Sequence, residues 1–118
     1  MAKFRFEDLE IWKEAIAIAN ELFDIADDLE ERKKFRFSEQ LRGAAMSISN
    51  NIAEGSASIF KKEFINYLNF ARRSAFENVN ILILLEKRKF IPADLCENLK
   101  IKLDILCRKI TNFQKTLK

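Results

Sequence analysis

QLRGAAMSISNNIAEG, residues 40–55, sets apolar side chains at helical spacing beside a polar load that a helix interior rarely holds. Leu41, Ala44, Ala45, Ile48 and Ile52 recur as one face. Among them stand Ser47, Ser49, Asn50, Asn51 and Glu54, where an ordinary surface helix carries Lys and Glu. Gly43, Ala44, Ala45 and Ser47 are small enough to admit a neighbouring helix closely. The stretch is therefore expected to be a central helix whose polar groups bond to other helices. Asn51 and Glu54 are expected to be at least partly buried and bonded to a neighbour, with Arg42 or Arg72 as partners. A ligand site is the other reading of that pair.

Working outward, the rest of the chain is helical too. It has 118 residues, enough for one domain and one core. Two glycines and one proline leave few turn-formers, and no run of alternating Val, Ile and Thr marks a strand. Phe6 to about Glu30 forms the first helix, with two apolar stripes. One is Leu9, Trp12, Ile16, Ala19, Phe23 and Ala26; the other is Ile11, Ala15, Ile18, Leu22, Ile25 and Leu29. Ser38 is the expected N-cap of the second helix, and Gly55 its stop. The third helix runs from Lys61, capped by Ser58, to about Lys89. Pro92 opens the fourth, whose seam is Leu95, Leu99, Leu103, Leu106, Ile110, Phe113 and Leu117. Four helices on short connectors predict an all-α, antiparallel up-down-up-down four-helix bundle over residues 1–118. Surplus apolar surface on helices one, three and four predicts a homo-oligomer, with Ile11, Ile18, Phe76 and Ile83 at subunit contacts. A widened monomer core is the alternative.

Charge is unevenly placed. Residues 7–31 hold ten acids against one Lys, while residues 32–118 hold eighteen Lys and Arg against eight acids. Internal complementarity is one reading; a surface for an anionic partner is the other. Cys96 and Cys107 lie about 16 Å apart along one helix, too far to bridge. Two free thiols fit a reducing cytoplasm. No stretch fits a signal peptide or a membrane span.

The sequence contains no histidine. That removes Ser-His and Cys-His nucleophilic pairs, most zinc sites, the Glu-x-x-His pairs of di-iron bundles and histidine-dependent ribonuclease chemistry. No glycine-rich phosphate loop is present. No enzymatic activity, cofactor or metal is expected.

Gln40, Arg42, Ala44, Ala45, Ser47, Ile48 and the run Asn51-Ile52-Ala53-Glu54-Gly55 resemble the signature of the 23S rRNA intervening-sequence protein family, which includes the accessory variability determinant of diversity-generating retroelements. Phe6, Asp8-Leu9, Ile11-Trp12 and Ala15 are similar to its N-terminal pattern, as are Ala71-Arg72, Ser74 and Glu77 on the third helix. Two positions depart from it. Ser56-Ala57-Ser58-Ile59 lacks the Arg that often follows the Gly, and Arg73 stands where a Gly usually precedes Ser74. The resemblance implies a four-helix bundle, a ring-like homopentamer and no catalysis. For retroelement members it implies binding of nucleic acid and of a reverse transcriptase.

The functional expectation is a non-catalytic homo-oligomer that binds RNA or DNA, or serves as a reverse-transcriptase-associated adaptor. The alternative is a structural or protein-binding oligomer with no nucleic-acid role. In an up-down-up-down bundle the first and third connectors share one end. Arg32, Lys33, Lys34 and Arg36 would there meet Lys87, Arg88 and Lys89, forming the expected nucleic-acid site. Phe35 and Phe37 interleave with these charges; they would stack on bases or pack into the bundle end.

Overall fold

The computed structural model describes residues 1–117. A 3-10 turn, Arg5–Asp8, leads into four helices: α1 (Glu10–Glu31), α2 (Phe35–Ser56), α3 (Lys61–Lys87) and α4 (Ala93–Thr116). No strand occurs among the described residues. Each helix packs on its neighbours in sequence, and α4 closes the square on α1. Cross-helix contacts run in opposite directions along every adjacent pair. Asn78 bonds to Ala44 and Ser74 to Ser47 between α2 and α3. Lys102 bonds to Glu21 and Lys109 to Glu14 between α4 and α1. The protein is thus an antiparallel four-helix bundle.

One α1 stripe fills the core: Ile11, Ala15, Ile18, Leu22, Ile25 and Leu29 are all buried. The other is only partly buried where Leu9, Trp12 and Phe23 pack against the core from its edge. Ile11 and Ile18, each 5% exposed, therefore belong to the interior of a single chain and not to a subunit contact. Two complete stripes arise because α1 has two neighbours, α2 and α4, within the same bundle. The large apolar side chains left in solvent lie elsewhere, among them Phe70, Phe76 and Leu84 on α3 and Ile101 and Ile105 on α4.

Helix ends differ from the sequence expectation by up to four residues. Phe6 sits in the 3-10 turn, its ring against Trp12 at 5.0 Å, and Leu9 is extended before α1. α2 starts at Phe35, so Ser38 lies inside it, buried, and accepts a bond from Arg42 instead of capping. Pro92 is the N-cap of α4 and not its first residue. Ser58 does not cap α3, whose N-cap is Phe60; its hydroxyl accepts the Phe60 N–H. Gly55 does not end α2 through left-handed geometry, since no glycine has positive φ. It permits close approach: a Cβ there would stand 2.6 Å from Tyr67 Cβ and 2.9 Å from Phe64 Cδ1.

A polar seam joins α2 to α3 where the small residues bring them together. Ser47 and Ser74 share a bond of 2.8 Å between their hydroxyls. The buried Asn78 amide donates to Ala44 O and Ser74 O, both at 2.8 Å. Asn51 is half-buried and donates within its own helix, to Ser47 O at 2.8 Å and Ser47 Oγ at 3.2 Å. Its expected bond to Arg42 or Arg72 is absent: Asn51 Oδ1, the atom a guanidinium would need, has no such partner among the described residues, and Arg42 is held by α1. Glu54 is exposed and bonds to nothing among the described residues, contrary to expectation. Arg42 faces α1 instead, bonding Asp27 at 2.6 Å and Glu30 at 2.9 Å. Arg73 is exposed, so it adds a basic group without obstructing the seam.

Candidate nucleic-acid interface at the basic pole

The first and third connectors meet at one end of the bundle and are built alike. α1 ends with Arg32 as C-cap and Lys33 at φ 62°; Lys33 N–H bonds to Glu30 O and Lys34 N–H to Leu29 O. α3 ends with Arg88 as C-cap and Lys89 at φ 61°; Lys89 N–H bonds to Glu86 O and Phe90 N–H to Leu85 O. These are two Schellman motifs with Lys in the position usually held by Gly. The repeated Arg-Lys followed by Phe, at Arg32-Lys33-Lys34-Phe35 and Arg88-Lys89-Phe90, is their sequence trace.

Phe90 joins the two connectors. Arg32 Nη2 donates to Phe90 O at 2.6 Å. Phe37 meets the Phe90 ring edge-on, at 5.6 Å between centroids. Three cations gather around that ring: Lys34 at 4.8 Å, Arg32 at 5.8 Å and Arg88 at 5.9 Å. Each such contact contributes roughly 0.5–1 kcal/mol at an exposed site, which offsets part of the repulsion among them. Sequence reasoning had not placed Phe90 in the site, though its position after Arg88-Lys89 was a usable signal.

All seven predicted basic residues lie at or beside this pole. Lys33, Arg36, Lys87, Arg88 and Lys89 are exposed, and Lys34 is half-buried. Arg32 pairs with Asp28 at 3.1 Å; the other six have no carboxylate partner among the described residues. The acids of α1 are engaged elsewhere. Glu10 and Glu14 hold Lys109, Glu21 holds Lys102, and Asp27 and Glu30 hold Arg42. Bonds from Glu14 and then Glu10 raise the Lys109 pKa, and bonds from Asp27 and then Glu30 raise that of Arg42. Most acids of α1 are thus paired within the bundle, while Asp24 and Glu31 have no cation partner among the described residues. Unpaired cations also stand elsewhere, among them Lys61, Lys62, Arg73 and Lys115, but six of them share this pole. There the N-terminus of α2, which has no side-chain cap, also points, and Glu31 and Glu86 are the unpaired acids among the described residues. Of the pole aromatics, Phe37 is half-buried and Phe35 is 55% exposed.

Away from the pole, a groove of about 740 Å³ runs between α3 and α4. Phe76, Val79 and Ile101 line it, with Arg72, whose Nε is buried without a partner. Phe76 is 64% exposed, while Ile83 is half-buried against the core. Burial raises the pKa of Cys107 in the groove wall and of Cys96 inside. Among the described residues no helix is long and apolar enough to cross a membrane.

Antiparallel order, a seryl-asparaginyl seam between α2 and α3, and glycine-mediated contact at Gly55 define the protein as an all-α four-helix bundle. The chain belongs to the 23S rRNA-intervening sequence protein family, whose model it matches over residues 7–112. It is similar in fold to a crystal structure from Bacteroides thetaiotaomicron VPI-5482, described as a protein with unknown function from the S23 ribosomal protein family. The TM-score is 0.83 at 24% identity, covering 89% of this chain and 98% of that one. No curated protein matches the chain.

Proposed function

We propose that this protein is a non-catalytic, homo-oligomeric nucleic-acid-binding adaptor that engages RNA or DNA phosphates through the pole of Arg32, Lys33, Lys34, Arg36, Lys87, Arg88 and Lys89. The observation that carries the reading is the clustering of basic side chains at one pole. Seven basic side chains gather on two adjoining connectors, and six of them keep no carboxylate among the described residues. Solubility alone does not call for such concentration; an anionic polymer does. Self-association places several copies of the pole on one assembly and raises avidity for a long strand. The α3–α4 groove, with Phe76 and Ile101 exposed, is the surface for that self-contact. A reverse transcriptase is a further partner consistent with this adaptor role, working in the cytoplasm.

The test is a triple substitution, Lys33→Glu, Lys34→Glu and Lys89→Glu. Binding of labelled RNA or DNA is expected to vanish while oligomer mass and helix content stay unchanged. Wild-type binding is expected to weaken steeply with salt. The groove favours a second reading, a structural or protein-binding oligomer. Absence of any nucleic-acid binding by the wild type at low salt would select it.

A further inference from the structure

The pole carries three aromatic rings, and the fold uses only two of them. Phe37 and Phe90 pack edge to face at 5.6 Å, and Arg32, Lys34 and Arg88 surround Phe90. Phe35 has no aromatic partner among the described residues, does not pack against the core and is 55% exposed. It is the first residue of α2, between Lys34 and Arg36, two residues beyond the left-handed Lys33. A single exposed Phe is ordinary on a protein surface. This one stands between Lys34, whose ammonium lies over Phe90, and Arg36, and no cation lies over its own ring among the described residues.

A flat aromatic flanked by cations is the pairing that single-stranded nucleic acid requires. Phosphates take the charges, and an unstacked base takes the ring. A duplex keeps its bases stacked and offers only phosphates to such a surface. We propose that the pole prefers single-stranded nucleic acid, with a base stacked on Phe35 and the adjoining phosphates held by Lys33, Lys34 and Arg36. This rests on the nucleic-acid reading above and narrows it to unpaired strands. Base identity matters little, since every base presents a π face.

The probes are labelled oligo-dT and oligo-U of about 15 nucleotides and a mixed-sequence duplex of similar length, read by fluorescence anisotropy. The wild type is expected to bind the single strands more tightly than the duplex. Phe35→Ala is expected to weaken single-strand binding by about 5- to 100-fold and leave duplex binding and the salt slope unchanged. Phe35→Trp is expected to restore affinity, with the new indole's emission quenched by either oligonucleotide. The ratio of oligo-U to oligo-dT affinity separates RNA from DNA as the preferred strand. Equal single-strand binding by Phe35→Ala, or a wild-type preference for duplex, would overturn the single-strand proposal and leave the basic pole standing. Binding to none of the three probes at low salt would overturn both.

Discussion

Lys33 and Lys89 occupy equivalent positions in two matching helix ends, at φ 62° and 61°, on the same pole of the bundle. A side chain in this conformation costs roughly 1–3 kcal/mol where Gly would cost little. Glycine's greater freedom in the unfolded chain returns part of that. Lys33→Gly and Lys89→Gly are each expected to raise stability by about 0.5–1 kcal/mol in urea melts. Each is expected to weaken nucleic-acid binding and to lower the salt slope by about 0.9. A gain in stability with no loss of binding would remove these two lysines from the interface.

Phe90 is expected to act on stability and binding together. Phe90→Leu keeps an apolar side chain but removes the ring that faces Arg32, Lys34, Arg88 and Phe37. A loss of about 1–2 kcal/mol is expected from the cation–π and aromatic contacts. The freed cations then spread, and affinity for nucleic acid is expected to fall without any charge having been removed. Calorimetry and binding on the same variant check both effects.

The two glycines are expected to respond oppositely to alanine. Both lie in α2, where Ala is favoured over Gly by about 1 kcal/mol. At Gly43 a Cβ would meet nothing within 4 Å, so Gly43→Ala is expected to stabilise the monomer by about 0.5–1 kcal/mol. At Gly55 the Cβ would strike Tyr67 Cβ, an atom fixed to its own backbone, at 2.6 Å. Helices α2 and α3 must then separate, and Gly55→Ala is expected to destabilise by about 1–3 kcal/mol. Equal melting temperatures for the two variants would contradict this account.

Much of this fold was legible in the sequence, and the parts that were not have physical causes. Sparse glycine and proline, and seams such as Leu99, Leu103, Leu106 and Ile110, announced four helices and their order. The starts of α1 and α2 were harder to place, because neither N-cap, Leu9 or Lys34, carries a side chain that caps. The role of Ile11 and Ile18 was misjudged because periodicity reports that a face is apolar, not which neighbour covers it. The basic pole followed from topology, since connectors one and three must share an end. Phe90 did not, because its role depends on a ring meeting cations from another connector. The family signature is partly accounted for by packing, Asn51 through Ser47, Ile52 in the core and Gly55 against Tyr67, whereas Glu54 has no structural role among the described residues.

Within the seam, Asn78 is expected to matter more than Asn51. Asn78 is fully buried and ties α3 to α2 through Ala44 O; Asn51 bonds only inside its own helix. Removing a buried partner costs about 1–3 kcal/mol. Asn78→Ala is expected to fall in that range, and Asn51→Ala below about 1 kcal/mol. The reverse order in thermal melts would show that the seam is held from the Asn51 end.

Self-association provides the last prediction, and the positions chosen separate surface from core. Phe76 and Ile101 are 64% and 51% exposed on the groove between α3 and α4. A carboxylate at either site stays in water in the monomer but would be buried in a contact between copies, where an unpaired charge is costly. Phe76→Glu and Ile101→Glu are each expected to lower the mass measured by light scattering while preserving helix content. Ile18→Glu is expected to behave differently. Ile18 is 5% exposed between neighbouring helices, so a charge there should unfold the chain instead of dissociating it. The two outcomes are distinguished by circular dichroism on the same samples. A monomeric wild type at micromolar concentration would remove the self-contact. Unchanged mass in both groove variants, from an oligomeric wild type, would move it to another face, with Met46 on α2, 49% exposed, the next to test.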